Sequence, residues 1–221
     1  MNQKKMILTG IALIWGLQAP GAFAHAEFSI VYKLEAGSKL WLEGTATIGD
    51  FTCRTDNIEG VAKLHVNSGE TYDSSSADTM SSEVRVFILV KSFECGNNAM
   101  NSDMYDAMKA DSFPSIEYEL LETEILPDSN TVDSMRMLNT NGRLTIAGVT
   151  KNVPMIITIR QLSSTRFQIS GSKTLSMQDF GITPPTALWG LIKADDRLVV
   201  KFNLIVSKET FEPRKSETKG Y

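Results

Sequence analysis

A strict two-residue alternation constrains this chain more than any other feature. Val84, Val86, Ile88 and Val90 are apolar in step, with Arg85 and Lys91 on the opposite parity. Ile116, Tyr118 and Leu120 repeat the pattern against Glu117, Glu119 and Glu122. Successive side chains of a strand point to opposite faces, so a chain written this way buries one face only as a strand. Glu117 and Glu119 fall on the polar parity, and the carboxylates share a solvent face until the register changes, before Glu122. Carboxylates paired for acid–base work would instead have to point into a cleft. Further strands are expected near Phe28–Leu34, Leu40–Ile48, Ile58–Asn67, Gly142–Ala147, Val153–Leu162, Arg166–Lys173 and Leu198–Ser207. Their number and spacing suit a mainly all-β domain, either an antiparallel barrel or a sandwich. No internal repeat is visible.

Loop chemistry separates these runs. Asn67–Ser82 is rich in Ser, Asp and Gly, Pro127–Asn141 has similar punctuation, and Asp195–Asp196 before Arg197 reads as a hairpin turn. One helix is expected, Ser102–Asp111, with Asn101 or Ser102 as its cap, Asp103 and Asp106 in its first turns and Lys109 near its end. Met104 and Met108, four apart, share one face. They serve either as core or as the flexible, polarizable mouth of an apolar cavity. Phe113 before Pro114 returns the chain to an extended conformation.

The N-terminus reads as a cleavable secretory signal, residues 1–24. Lys4 and Lys5 precede an apolar run from Met6 to Leu17 and the small-residue site Ala22-Phe23-Ala24, with cleavage after Ala24 or Ala26. The run is too short to span a bilayer, so no transmembrane segment is expected after its removal. No cysteine follows the cleavage point to take a lipid anchor. The expected compartment is periplasmic or secreted. Of 221 residues, 197 remain, enough for one domain with a sizeable core at 25–207. A polar tail at 208–221 follows. The leader removes two lysines from 22 basic side chains and nothing from the 26 acidic ones, leaving a mature net charge near −6. With no basic run, nucleic acid is excluded as a natural partner. In an oxidising compartment the two cysteines, Cys53 and Cys95, are expected to pair as a structural disulfide. Loop closure makes that bridge worth roughly 3 to 4 kcal/mol. A redox pair would want a close Cys-x-x-Cys spacing, which is absent.

No catalytic set is legible. The two histidines are His25, at the processing site, and His65, within a predicted strand. That leaves little for a histidine triad or metal site. There is no P-loop and no Gly-x-Gly-x-x-Gly fingerprint. The expectation is a protein without enzyme activity, cofactor or metal.

Three segments carry a resemblance. Ser176–Gly190 reads SMQDFGITPPTALWG; Met100–Ile116 reads MNSDMYDAMKADSFPSI; Gly142–Val153 reads GRLTIAGVTKNV. In the first, Asp179 is expected to bond backbone amides in a tight turn, Gly181 to take a left-handed conformation, and Pro184-Pro185 to stiffen the connection. In the last, Lys151 is either an exposed turn lysine or a partner for a ligand phosphate. Together the three resemble the YceI-like family of secreted bacterial proteins, over about Phe28–Ser207. In the segment Ser38–Cys53, Asp50 and Phe51 follow a Gly-Thr element and match one branch.

The resemblance implies a lipocalin-like antiparallel β-barrel of about eight strands with one short inserted helix. Its interior would hold a long-chain isoprenoid or other apolar lipid, such as a polyprenyl lipid or isoprenoid quinone. The expected lining is Val86, Ile88, Ile116, Tyr118, Leu144, Ile146, Ile157, Val200 and Phe202, with Met104, Met108, Phe180 and Trp189 near an end, as plug or wall. A filled core uses the same letters as a lipid tunnel. The alternative is therefore an envelope stress or interaction protein with a filled barrel, working through loops such as Asn67–Ser82. Edge strands and apolar barrel ends can both support a homodimer.

Overall fold

In a computed structural model, the structure describes residues 27–67, 81–126, 135–187 and 191–209. The proposed signal segment, most of the 67–82 loop, Trp189 and the chain after residue 209 lie outside these.

Among the described residues, eleven strands and one α-helix follow in chain order: β1 Glu27–Leu34, β2 Lys39–Ala46, β3 Gly49–Thr55, β4 Ile58–Asn67, β5 Ser81–Leu89, α1 Asn98–Ala107, β6 Ser115–Ile125, β7 Met135–Ile146, β8 Val149–Gln161, β9 Arg166–Ser176, β10 Thr186–Ala187 and β11 Ile192–Lys208. The ladder runs β1-β4-β5-β6-β7-β8-β9-β11, and β1 pairs back onto β11, so eight strands close an antiparallel ring. The barrel alternative is therefore the correct one. Closure pairs β1 with β11, the two strands that an open eight-stranded sheet would leave as edges.

β11 is long enough to hold two partners on one side. Its last residues pair with β1, and Ala194–Asn203 pairs with β2, which carries β3 on its far edge. β1 and β2 thus form one bent strand, and residue 38 makes the corner. Ser38 is 2 % exposed. Its hydroxyl donates to the Ile205 carbonyl at 3.3 Å and accepts from the Ile205 amide at 3.0 Å. A side chain thus replaces the ladder bonds the bend interrupts.

Several boundaries differ from those expected. The helix starts four residues earlier than Ser102, because the Asn97 side chain accepts from the Met100 amide at 3.0 Å and caps it. Asn101 is no cap. It lies buried inside the helix, accepting from the Cys95 amide and donating to Glu94, both at 2.7 Å. The expected strand Leu40–Ile48 is a hairpin, β2 turning at residues 47–48 into β3, which the alternation did not reveal. β7 begins at Met135, so the C-terminal half of the loop expected at Pro127–Asn141 is strand; residues 127–134 lie outside the described set.

Asp195–Asp196 is not a hairpin turn but an irregular stretch inside β11, where the register with β2 slips between Ala194 and Leu198. Asp196 accepts from Ser176 Oγ at 2.6 Å and from the Gln178 amide at 2.8 Å. It therefore does the amide-bonding work expected of Asp179. These two bonds, the hydroxyl first, hold its carboxyl below the ordinary range. Gly181, at φ 65°, takes the left-handed conformation as expected. The Ala147-Gly148 turn, with both φ positive, makes the two-residue hairpin between β7 and β8. A register shift at Leu121 ends the glutamate alternation of β6, and Glu119 pairs on the outer face with Arg143 and Arg85.

The core gathers at one end of the barrel. Phe93, Val90, Phe180, Cys53, Cys95, Ile88, Ile116 and Ile182 are all under 10 % exposed. The Cys53–Cys95 disulfide forms there, joining β3 to the segment before α1. Tyr105 of α1 donates to the Phe93 carbonyl at 2.7 Å, tying the helix over that end.

Candidate functional site: an apolar cavity in the barrel

Cross-strand register shows how the inward side chains stack. At the capped end, Ile58, Ile88 and Ile116 form one rung across β4, β5 and β6. One rung further, Val86 opposes Tyr118, and Tyr118 opposes Leu144. On the far wall Leu138, Ile157, Gly171, Phe202 and Leu40 are consecutive partners. Beside them run Lys173, Val200, Leu42 and Cys53. These rungs enclose a cavity of about 790 Å³ with an overwhelmingly apolar lining.

Of the thirteen residues expected to line an interior, the twelve described ones all face this cavity: Val86, Ile88, Met104, Met108, Ile116, Tyr118, Leu144, Ile146, Ile157, Phe180, Val200 and Phe202. Trp189 lies outside the described residues. Ile88, Ile116, Met108 and Phe180 are nearly fully buried and form the floor. Val86, Met104, Leu144, Ile146, Ile157, Val200 and Phe202 remain half-buried, because among the described residues none fills the space before them. Met108 packs in the core, and half-buried Met104 borders the cavity.

Sequence reasoning missed other lining residues, among them Leu42, Phe51, Met155, Phe167 and Leu198. All occupy inward parity in their strands, so the same alternation, followed through β2, β3 and the full lengths of β8, β9 and β11, would have found them. Phe93, fully buried, sits in an irregular segment where no periodicity points to it. Lys151 lies exposed on β8, away from the cavity.

Few polar groups interrupt the lining. The Tyr118 phenol lies against the Thr140 hydroxyl; burial pushes its pKa up, and that hydrogen bond acts in the opposite direction. Thr140 itself donates to the Met155 carbonyl at 2.9 Å. Asp50 at the β2–β3 hairpin and Asp103 on α1 border the cavity, and Lys173 enters it from β9. Among the described residues no group of three or more His, Cys, Asp or Glu could hold a metal ion, and no helix is long and apolar enough to cross a membrane. The arrangement offers burial to an elongated apolar molecule.

Comparison with known proteins agrees with this geometry. The family model described as the YceI-like domain matches residues 21–206. No curated protein matches the sequence. Among solved structures, the Burkholderia cenocepacia protein BcnA superposes with a TM-score of 0.58 at 19% identity, over 78% of this chain and 98% of its own. A polyisoprenoid-binding domain from Saccharophagus degradans, implicated in plant cell wall breakdown, gives 0.57 at 15% identity, over 80% of this chain and 98% of its own. A YCEI protein mutant from Campylobacter jejuni gives 0.53 at 17% identity, over 72% and 85%.

Proposed function

This chain belongs to the YceI-like domain family, and from that premise we propose that it is an exported, non-enzymatic protein that carries or sequesters a long apolar isoprenoid-type molecule, a polyprenyl lipid or an isoprenoid quinone, inside its barrel. The observation that carries the reading is the cavity of about 790 Å³, within the range of small-ligand sites and walled by aliphatic and aromatic side chains. The fold similarity to a domain described as polyisoprenoid-binding supports it. Binding needs no covalent chemistry. Roughly 25 cal/mol is gained per Å² of apolar surface removed from water, so a chain of several prenyl units supplies ample driving force after ordering costs. The sequence of the first 24 residues supports export.

The test is native mass spectrometry, with solvent extraction, on protein purified from the exported fraction of its host. A stoichiometric apolar adduct that disappears on denaturation is expected. A clean apo mass, with no uptake of added quinone or polyprenyl lipid, refutes the carrier reading.

A further inference from the structure

The barrel wall parts between β8 and β9. Their ladder runs from Gln161 opposite Phe167 to Ile157 opposite Gly171 and stops, although β8 begins at Val149 and β9 continues to Ser176. Beyond that point the strands diverge. The short 3-10 turn at Gln178–Phe180 packs into the far part of the gap, with Phe180 2 % and Met177 8 % exposed. Lys173 stands between the end of the ladder and this plug.

Its orientation follows from register. Lys173 is directly opposite Val200, which is opposite Leu42, and all three face the cavity. Its Nζ donates to the Pro154 carbonyl across the gap at 2.5 Å, on a stretch of β8 that has no partner strand on that side. An ammonium has three donors, so two are left over. Among the described residues no carboxylate forms an ion pair with it. The two acids that border the cavity, Asp50 and Asp103, belong to the β2–β3 hairpin and α1 and make no bond to Lys173. The ammonium thus sits at the solvent-reached rim of an apolar cavity with donors open to a further acceptor.

We propose that Lys173 is a headgroup anchor: the molecule bound in the cavity is an amphiphile with an anionic phosphate or carboxylate head, its tail along the barrel and its head at the β8–β9 gap against the Lys173 ammonium. The inference rests on the carrier reading and narrows its ligand class from neutral apolar chains to acid-headed ones. At the gap the head stays in reach of water while the tail is dry, which is the arrangement an amphiphile requires.

The experiment compares farnesyl phosphate, farnesol and inorganic phosphate, each titrated against the mature protein carrying a displaceable apolar fluorescent dye. Charge-assisted hydrogen bonds are about twice as strong as neutral ones, so farnesyl phosphate is expected to bind about tenfold or more tightly than farnesol at low salt. The margin should shrink as salt rises. Lys173→Gln, which still reaches Pro154, should weaken farnesyl phosphate far more than farnesol and so abolish the preference; Lys173→Arg should keep it. Dye and farnesol binding by the variants report that the barrel is intact. Equal affinities in the parent protein, a preference that survives Lys173→Gln, or competition by inorganic phosphate alone would each overturn the proposal. If farnesol itself fails to displace the dye, the carrier reading falls as well.

Discussion

Two isoleucines on inward parity should respond to truncation in opposite ways. Ile116 is 7 % exposed and lies on β6 between β5, where Ile88 is its direct partner, and β7, which carries Leu144. Ile157 is half-buried, opposes Leu138 on one side and the bare Gly171 on the other, and looks into the cavity. Ile116→Ala leaves a hole in packed core, costing about 2 to 5 kcal/mol. For a domain of this size that lowers Tm by about 2 to 4 °C per kcal/mol. Ile157→Ala removes three carbons whose free side already meets empty space, so its stability loss should be well below that range. A bound chain covers those carbons, however. At about 0.8 kcal/mol per buried CH₂, covering half of them is worth about 1.2 kcal/mol, close to a sevenfold rise in Kd. Thermal melts and titration with a dye or prenyl lipid read both quantities on the same preparations. If the two variants lose stability alike and bind alike, the division into floor and cavity wall is wrong.

The Cys53–Cys95 bridge closes a separation of 42 residues, for which loop-closure entropy gives about 4 kcal/mol. The double alanine variant should lose about that much in denaturant unfolding, and a reducing agent should reproduce the loss in the parent protein. Gly142→Ala suits the backbone, yet its methyl would fall on the Tyr118 ring. Displacing that ring should cost about 1 to 3 kcal/mol, change the near-ultraviolet circular dichroism, and be rescued by a second change of Tyr118→Leu. Glu35, Glu43 and Glu119 have carboxyl pKa values held below their usual range, chiefly by hydrogen bonds from Arg166, Lys201 and Arg143. A depressed folded pKa gives stability that is present above the unfolded value and lost as pH falls through the folded one. Tm should therefore decline below about pH 5, modestly because the pairs are exposed, and Glu119→Gln should flatten part of that decline.

The inward face was legible because period-two patterning survives wherever a strand is long and regular. Val86, Ile88, Ile116, Tyr118 and Leu144 needed nothing more than parity. What escaped were places where tertiary bonds replace local signals. The corner at Ser38 is held by Ile205, some 167 residues away. The Asp195–Asp196 pair has the composition of a turn but is carried through β11, one of its carboxylates recruited by Ser176 and Gln178. The helix start was misplaced because Asn97 and Asn101 are both plausible caps by composition, and only the bond from Cys95 makes Asn101 an interior residue. Lys173 escaped for the opposite reason, since a lysine in a strand reads as solvent-facing until its cross-strand partner Val200 is known.

The same rungs explain why a barrel lined by aromatic residues is not filled by them. A ring pointing straight inward would cross the bore, but three of these rings occupy the space beside a neighbouring glycine where its Cβ would fall: Tyr118 at Gly142, Phe202 at Gly171, and Phe51 at Gly44. Each glycine lies on a strand paired to the one that bears its aromatic, directly opposite it for Phe202 and Phe51 and one step diagonal to it for Tyr118. A side chain at any of the three would occupy the space the ring now takes along the wall. The glycines therefore do their work through absent volume: the aromatics contribute apolar surface to the lining while their bulk stays against the sheet. The buried floor of Phe180, Ile88 and Ile116 closes one end by conventional packing, and the cavity begins where the glycine-backed rings take over.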